Sequence, residues 1–128
     1  MELVQNKPEY WEFIRNLRNH PDVKGGFIQQ EDIEKESHEQ YMLRYGLFFY
    51  VCLCEGQPAG YVGVIDRDIR VATHPNFQGK GVGKYMINQL MEMNSDAFAK
   101  VKLENEASIK LFEACGFKKK YYILEKEK

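Results

Sequence analysis

The residues with the clearest chemical signal form a glycine-rich turn ahead of a predicted helix. From residue 78 the turn reads Gln-Gly-Lys-Gly-Val-Gly-Lys and ends at Lys84. A turn of this kind leaves several main-chain N–H groups without partners at the positive end of a helix dipole, and such ends bind anions, above all phosphate. Glycines let the main chain approach a ligand closely. The turn therefore predicts a phosphate site, and a glycine turn without any ligand fits the spacing equally well.

Two well-known phosphate motifs do not fit this turn. A P-loop requires Ser or Thr after its lysine, and here Tyr85 follows Lys84. A dinucleotide-binding fingerprint requires a third glycine, and Lys84 stands at that position. The turn therefore matches neither motif.

Several side chains elsewhere are suited to acid–base chemistry or to metal binding. Asp68 is the first candidate for a general base through water, although a solvated acid at a strand end is the commoner role. His38 titrates in the useful range, and a plain position on a helix surface is equally consistent with its sequence context. Cys52 and Cys54 share one face of a strand and have no partners at metal-ligand spacing, so we predict core packing and no metal site.

The composition excludes several classes of function. The chain has 128 residues with 18 Lys and Arg against 19 Asp and Glu, which gives a net charge of −1. This length predicts a single domain over residues 1–128, and the charge argues against nucleic-acid binding, which needs a basic face. No apolar run approaches the ~18 residues of a membrane span. Three cysteines without a secretory leader predict a cytoplasmic protein with reduced thiols.

Hydrophobic periodicity predicts the elements that position these residues. The expected order is β-α-α-β-β-β-α-β-α-β, an α/β fold in which helices flank a mixed sheet. Apolar runs predict the strands at 2–5, 47–54, 60–65, 67–73, 99–103 and 121–124. Apolar residues at helical spacing predict helices at 8–20, 31–45, 81–94 and 105–115.

Two segments on these elements resemble motifs of the GNAT family of N-acetyltransferases. Residues 71–83 resemble its acetyl-CoA motif, in which a strand and an x-Pro precede Gln/Arg-x-x-Gly-x-Gly/Ala. Residues 105–117, with Asn105, Ala107, Leu111, Phe112 and Gly116 at the motif positions, resemble its second motif. The predicted order of elements also matches that family's fold, a mixed and mostly antiparallel sheet flanked by helices.

The resemblance implies acetyl-CoA as co-substrate and residues that bind it. Main-chain groups of Val71 and Thr73 would meet the thioester carbonyl and the pantetheine arm, with the Val71 N–H stabilising the oxyanion. A splay between this strand and the strand at 99–103 would form the slot. The amides of the glycine turn would hold the pyrophosphate, and three further residues would contact the cofactor through their side chains. Together these residues are Gln78, Gly79, Lys80, Gly81, Val82, Gly83, Lys84, Asn105, Ser108 and Phe112.

The chain departs from the family pattern in three places. Phe112 stands where relatives often have the tyrosine that protonates the leaving thiolate, so water, another residue or departure as the anion must replace that step. Arg67, between Asp66 and Asp68, stands where some relatives carry a basic glutamate. Only twelve residues follow Gly116, where the family supplies two strands. The resemblance therefore implies either that part of the acceptor wall is missing or that a second subunit completes it, as in a homodimer.

A looser similarity concerns the acceptor. Arg18-Asn19 and the His38-x-x-Tyr41 spacing are loosely similar to sugar-nucleotide N-acetyltransferases, which implies that these residues bind the substrate and that His38 orients a sugar or acts as a base. Arg18 at a helix C-terminus also complements the helix dipole without any ligand. The resulting prediction is an acetyl-CoA-dependent transferase acting on a primary amine of a small molecule, with a nucleotide-linked amino sugar as first candidate. Acetylation of a protein or peptide, and an inert CoA-binding module, remain the alternatives.

Overall fold

The computed structural model describes residues 1–127 and contains one four-stranded antiparallel sheet with strand order β1-β2-β3-β4. Each strand pairs with its neighbour in sequence, and helices cover both faces of the sheet. The strands are β1 (Glu2–Gln5), β2 (Phe49–Cys54), β3 (Gln57–Ile65) and β4 (Asp68–Thr73). The helices are α1 (Trp11–Asn19), α2 (Pro21–Lys24), α3 (Lys35–Tyr45), α4 (Val82–Met93) and α5 (Glu106–Ala114).

Two tight turns set the register of β2, β3 and β4. Cys54 pairs with Gln57, which leaves two turn residues with positive φ, including Gly56 at +80°. Ile65 pairs with Asp68, and the turn between them again has two residues with positive φ. Positive φ at both central residues matches the right-handed twist of a hairpin. Arg67, predicted as the first residue of a strand, therefore lies in this turn, with φ of +67°.

Alternating side chains divide the core between the two faces of the sheet. One face packs on α4 and α5 through a cluster that contains Val62, Met86 and Leu90, all fully buried. The other face packs on α1 and α3 through Ile14, Val51 and Tyr61. Because β4 pairs with β3 on one side only, its other edge is open apart from one bridge.

Two predicted strands do not form, which corrects the predicted element order. Near 99–103 the only pairing is a parallel bridge between Asp68 and Phe98, after which the chain leaves β4. Residues 121–124 pair with nothing in the described chain, and their side chains are exposed. An apolar run becomes a strand only when a neighbour accepts its hydrogen bonds. The α/β class and the antiparallel sheet flanked by helices are confirmed.

The predicted helices form, with one clear difference in extent. The prediction of 31–45 as one helix is wrong at its start, because α3 begins at Lys35. The Asn19 side chain explains this difference, since its amide donates to the Ile33 carbonyl at 2.9 Å and accepts from the Ile33 N–H at 2.8 Å. Among residues 1–127 no helix is long and apolar enough to cross a bilayer.

Candidate active site

A cleft of about 850 Å³ follows the open edge of β4 and continues across the glycine turn. Its floor is β4 from Asp68 to Thr73, and its walls come from α1, α3, α4, α5 and the loop between α2 and α3. The cleft occupies the gap where the chain beyond Phe98 leaves the strand, since Lys100 and Val101 line its far side. A divergence of the main chain therefore creates the space that a ligand needs.

Main-chain groups of Val71 and Thr73 face this cleft. On β4 the Ile69 N–H donates to the Phe98 carbonyl at 2.9 Å, across the open edge, whereas the His74 N–H donates to the Ala59 carbonyl of β3 at 2.8 Å. Main-chain groups of a strand alternate between its two sides. Odd-numbered residues therefore point their N–H and C=O groups towards the cleft, and beyond Phe98 no neighbouring strand pairs with them in the described chain.

The glycine turn, residues 78–84, has the geometry of an anion site. Gly79 and Gly81 adopt φ of +77° and +80°, which other residues rarely adopt, and nothing lies within 4 Å of a Cβ placed on either. Gly81 caps α4 without a side-chain hydrogen bond, and the first turn of α4 holds no acidic residue. The N–H groups of the first helical turn have no partner within a helix. The turn therefore offers open space and unpaired donors for a diphosphate such as that of CoA.

The structure separates the two lysines of this turn. Lys84 lines the cleft. Lys80 does not line it, and its ammonium group lies 5.4 Å from the centre of the Phe77 ring. Lys80, predicted to contact the pyrophosphate through its main-chain amide, is therefore the one residue of the turn that does not line the cleft, whereas Lys84 brings a side-chain charge to it.

Three predicted cofactor residues line the cleft at α5: Asn105, which caps the helix, and Ser108 and Phe112, which lie on it. Asn105 caps α5 by accepting from the Ser108 N–H at 3.2 Å, and its amide donates to the Gly26 carbonyl at 3.2 Å. Both ends of this side chain are therefore engaged by the protein, so its first role is to fasten the α2–α3 loop to α5. Phe112 is buried and packs edge-on against Phe117, with ring centres 5.1 Å apart.

On the other side of β4, four side chains line the cleft and form what we call the acceptor cluster: Arg18, Tyr41, Tyr61 and Arg70. The Arg18 guanidinium lies 5.4 Å above the centre of the Tyr41 ring. Burial raises the pKa values of Tyr41 and Tyr61, so both phenols are neutral and keep their protons. Tyr41 and Arg18 were predicted from the sequence as substrate contacts, and both line the cleft.

His38 and Asn19, the other two predicted substrate contacts, do not line the cleft. His38 is 1% exposed, stacks on Tyr41 with ring centres 6.2 Å apart, and makes no hydrogen bond through either ring nitrogen. Burial, together with the smaller effect of the Arg18 charge, lowers the pKa of His38 to about 4. His38 therefore packs against Tyr41 as a neutral ring outside the cleft. This buried position agrees neither with a place on the helix surface nor with direct contact to a substrate. Asn19 holds Ile33 instead.

Asp68, the candidate base, lines the cleft with its side chain 18% exposed. Its carboxylate lies 3.5 Å from the Arg70 guanidinium and 3.9 Å from the Lys100 ammonium. Because a strand rises ~3.4 Å per residue, Asp68 and Val71 are about 10 Å apart along β4. A proton on an amine beside Val71 would therefore reach this carboxylate only through water.

Sequence reasoning missed Tyr61, Arg70 and Lys100, which also line the cleft. Arg70 could have been found, because it is a charged residue between the apolar residues Ile69 and Val71 of a predicted strand. Charged residues are seldom buried without a partner, so this position indicates a partner or a ligand. Tyr61 carried no comparable signal because aromatic residues are common in buried strands.

The cysteine thiols lie away from this site. Burial raises the pKa of Cys52 to about 11 and also raises the pKa of Cys115, which leaves both as thiols rather than nucleophilic thiolates. None of the three cysteines lines the cleft. In the part of the chain that the structure describes, no group of three His, Cys, Asp or Glu side chains could hold a metal ion.

Known proteins share this architecture. Spermidine N-acetyltransferase from Vibrio cholerae, solved with CoA and spermine, is 20% identical and superposes with a TM-score of 0.82 over 98% of this chain and 85% of its own. Ribosomal-protein-alanine N-acetyltransferase from Brucella melitensis is 17% identical, with a TM-score of 0.75 over 92% and 85% of the two chains. A putative acetyltransferase from Salmonella typhimurium, solved with acetyl-CoA, is 19% identical, with a TM-score of 0.75 over 91% and 79%.

These likenesses establish the fold, and the sequence itself establishes the family. The comparison with curated protein sequences found no match. The model of the acetyltransferase (GNAT) family, in contrast, matches residues 11–117, which include both motifs and every element from α1 to α5. The chain therefore belongs to the GNAT acetyltransferase family, and so to the acyl-CoA-dependent N-acetyltransferases.

Proposed function

We propose that this protein transfers an acetyl group from acetyl-CoA to a primary amine of a small molecule by direct attack in a ternary complex. The observation that carries the proposal is the continuity of one cleft, in which the open edge of β4 leads directly to the glycine turn. Such a path suits a ligand with a strand-like arm and a diphosphate. The α5 residues Ser108 and Phe112 border the same path.

Acetyl-CoA supplies a thioester whose carbonyl carbon an amine attacks while the C–S bond breaks and the thiolate leaves. The protein's first contribution is alignment of the two reactants, which can supply several kcal/mol of the barrier. Its second contribution is the Val71 N–H, which faces the cleft and is free to stabilise negative charge on the carbonyl oxygen. No enzyme nucleophile is required, which agrees with the raised pKa values of Cys52 and Cys115.

The acceptor nitrogen loses two protons in the reaction, one when the ammonium form becomes the attacking amine and one as the amide forms. We assign the first proton to water between the amine and the Asp68 carboxylate, and the second passes to solvent water in the cleft. Phe112 has no proton to donate to the leaving thiolate, and a thiol pKa of ~8.5 lets the thiolate leave as an anion. His38 takes no part in either transfer, because its ring is buried outside the cleft.

The decisive experiment is to incubate the protein with acetyl-CoA and separate panels of amino sugars, amino acids, polyamines and peptides while following free thiol release. Release with one class supports the proposal and names the acceptor class. Release only with peptides would support protein or peptide acetylation instead. Binding of acetyl-CoA without release for any amine would identify a CoA-binding module without turnover.

Nucleotide-linked amino sugars are the first acceptors to test, and this choice depends on the acceptor cluster. Arg18 and Tyr41, the two residues of the sugar-nucleotide similarity that line the cleft, lie in contact there. Phosphates of a nucleotide would suit the guanidinium groups of the cluster. We also place the enzyme in the cytoplasm, because the reaction uses acetyl-CoA and the three cysteines are free thiols.

We further propose a homodimer in which the segment 121–124 pairs with the same segment of a second copy. Its side chains are Tyr, Tyr, Ile and Leu, from 70% to 92% exposed. In an antiparallel two-fold pairing Lys120 would face Glu125 and Lys118 would face Glu127, whereas Lys119 would face Lys126, so two of these three pairs have opposite charge. A self-complementary strand of this kind is what an isologous interface requires.

Charge reversal tests the dimer. Sedimentation velocity over a range of concentrations should show association that Lys120→Glu weakens and that Lys120→Glu combined with Glu125→Lys restores. A monomer at every concentration, or three proteins that associate identically, would refute this pairing.

A further inference from the structure

The acceptor cluster contains a cation without an acidic partner. Within residues 1–127 Arg18 makes no ion pair, and its guanidinium instead lies over the face of Tyr41 at 5.4 Å. Stacking on a ring uses the flat face of a guanidinium and leaves the N–H groups along its edge free to donate. Arg18 lines the cleft. A fixed cation with free donors therefore faces the space that an acceptor would occupy.

Two further donors of the cluster are buried without partners. The Arg70 Nε and the Tyr41 hydroxyl make no hydrogen bond in the described chain, and both residues line the cleft. Nearly all buried polar groups in proteins are paired, so each such orphan requires an explanation. Arg70 and Arg18 can only donate, because a guanidinium has no acceptor atom. The cluster is therefore short of acceptor oxygens rather than of donors.

The net charge of the residues that line the cleft also favours an anionic acceptor. Four cations line it, Arg18, Arg70, Lys84 and Lys100, against only two carboxylates, Asp22 and Asp68. Asp68 already lies between two of these cations, at 3.5 Å from Arg70 and 3.9 Å from Lys100. A polycation such as spermine would meet net repulsion in this cleft. An acceptor that brings negative charge would be attracted.

The diphosphate of CoA does not account for this cluster. The glycine turn that would hold the diphosphate follows the C-terminal end of β4, whereas Arg70 lies in the first half of that strand. Arg70 and Tyr61 pair in register with Gly63 and Ala72, which places both on the face of the sheet that packs on α1 and α3. The thioester and its diphosphate therefore occupy one part of the cleft and leave the cluster for the second substrate.

We propose that the acceptor cluster binds an anionic group, a carboxylate or a phosphate, carried by the same molecule as the amine that is acetylated. This inference rests on the proposed transfer reaction and names the substrate class of that site. Arg18 and Arg70 would each donate to the anion, and Tyr41 would add a neutral hydroxyl donor. These are binding and positioning roles, since the reacting atoms lie at Val71.

Matched amines test the proposal in the intact enzyme. Glucosamine 6-phosphate is compared with glucosamine, and β-alanine with β-alaninamide, so that each pair differs in one anionic group, a phosphate of about −2 or a carboxylate of −1. Because a hydrogen bond to a charged group contributes more than a neutral one, the anionic member should have a kcat/KM about 10- to 100-fold higher. The pair with the larger ratio of kcat/KM values shows whether the acceptor cluster prefers a phosphate or a carboxylate. Preference for the neutral members, or for spermidine over all of them, would overturn the proposal.

Substitutions of Arg18 and Arg70 test whether these two residues cause the preference for anionic amines. Arg18→Gln and Arg70→Gln should each reduce the preference for the anionic member about 10-fold through the KM for the acceptor, with little change in the KM for acetyl-CoA. Arg70→Lys should restore part of it. Arg44→Gln is the matched control, since Arg44 stacks on Tyr45 at the same 5.4 Å but lies outside the cleft. An unchanged preference in both glutamine variants would overturn the proposal even if acetylation proceeds.

A binding measurement separates this inference from the proposed reaction. Calorimetric titration of glucosamine 6-phosphate and β-alanine into the protein with CoA present requires no turnover. Binding of either compound that Arg70→Gln abolishes supports the anion site, even if no amine is acetylated. Absence of binding by both compounds to a folded wild-type protein, as judged by circular dichroism, would overturn it.

Discussion

The two ends of the cleft are built from different parts of the chain. The end that suits acetyl-CoA consists mainly of main chain, namely the outward-facing groups of Val71 and Thr73 and the N–H groups of the glycine turn. The acceptor end consists of side chains from α1, α3, β3 and β4 that meet only in the folded protein. A main-chain site depends on backbone conformation, whereas a side-chain site can change residue by residue. Side chains at the acceptor end can therefore change without altering the main-chain groups that would bind acetyl-CoA.

The largest effect is expected from a substitution in the glycine turn, at the main-chain end of the cleft. Gly81→Val should raise the KM for acetyl-CoA about 100-fold or more, because the side chain would enter the diphosphate path and φ of +80° suits glycine only. Steady-state kinetics and calorimetry with CoA measure the change.

The control for this variant is Gly56→Val. Gly56 has the same φ of +80° and the same open surroundings, but it lies in the β2–β3 turn outside the cleft. Both substitutions should cost a similar ~1–2 kcal/mol of stability. An equal loss of CoA affinity in both variants would mean that strain, rather than the diphosphate path, explains the effect.

The second prediction concerns His38, which supports the acceptor end from within the core. Because its pKa falls to about 4 in the folded protein, the unfolded chain binds a proton between pH 6.5 and 4 that the folded chain does not. Stability should therefore decrease as the pH falls through this range, by up to about 3 kcal/mol. Urea unfolding at several pH values measures it.

The matching variant is His38→Gln, in which the group that titrates is absent. The charged neighbours Glu12, Arg15 and Arg18 are unchanged in this variant and supply the background pH dependence. The slope between pH 6.5 and 4 should become shallower than in the wild type. Identical slopes would show that other groups cause the acid sensitivity.

The third prediction sharpens the contrast between the two ends. Tyr41→Phe should raise the KM for the acceptor about 5- to 10-fold, because it removes a neutral donor worth ~1 kcal/mol. The KM for acetyl-CoA should stay the same. Tyr45→Phe is the control, since Tyr45 contacts Tyr41 with ring centres 5.0 Å apart but does not line the cleft. A rise in both KM values would contradict the division of the cleft.

The smallest effect is expected at Phe112. Phe112→Tyr adds a hydroxyl at the α5 wall, yet kcat should change less than about 3-fold, because a thiolate with a thiol pKa of ~8.5 leaves without a proton donor. Rapid-mixing or steady-state thiol release measures it. A rise of tenfold or more would show that protonation of the thiolate limits the reaction.

The sequence alone determined the parts of this protein that depend on local chemistry. Glycines before a helix and a proline after a strand each act through their own or neighbouring main chain, so the geometry of the glycine turn was predictable from local sequence. The three strands from β2 to β4 also followed from apolar runs, although the two-residue turns between them shift the predicted bounds and move Arg67 out of β4.

Only the tertiary structure decided the rest. Residues 99–103 are apolar enough for a strand, but the divergence beyond Phe98 leaves them without a partner and opens the cleft instead. His38 and Tyr41 lie on one helix three residues apart, yet packing buries the first and leaves the second on the cleft wall. Arg70, which lies on β4 far from Tyr41 in the sequence, lines the same cleft. Such outcomes depend on contacts between residues distant in sequence, which no local pattern encodes.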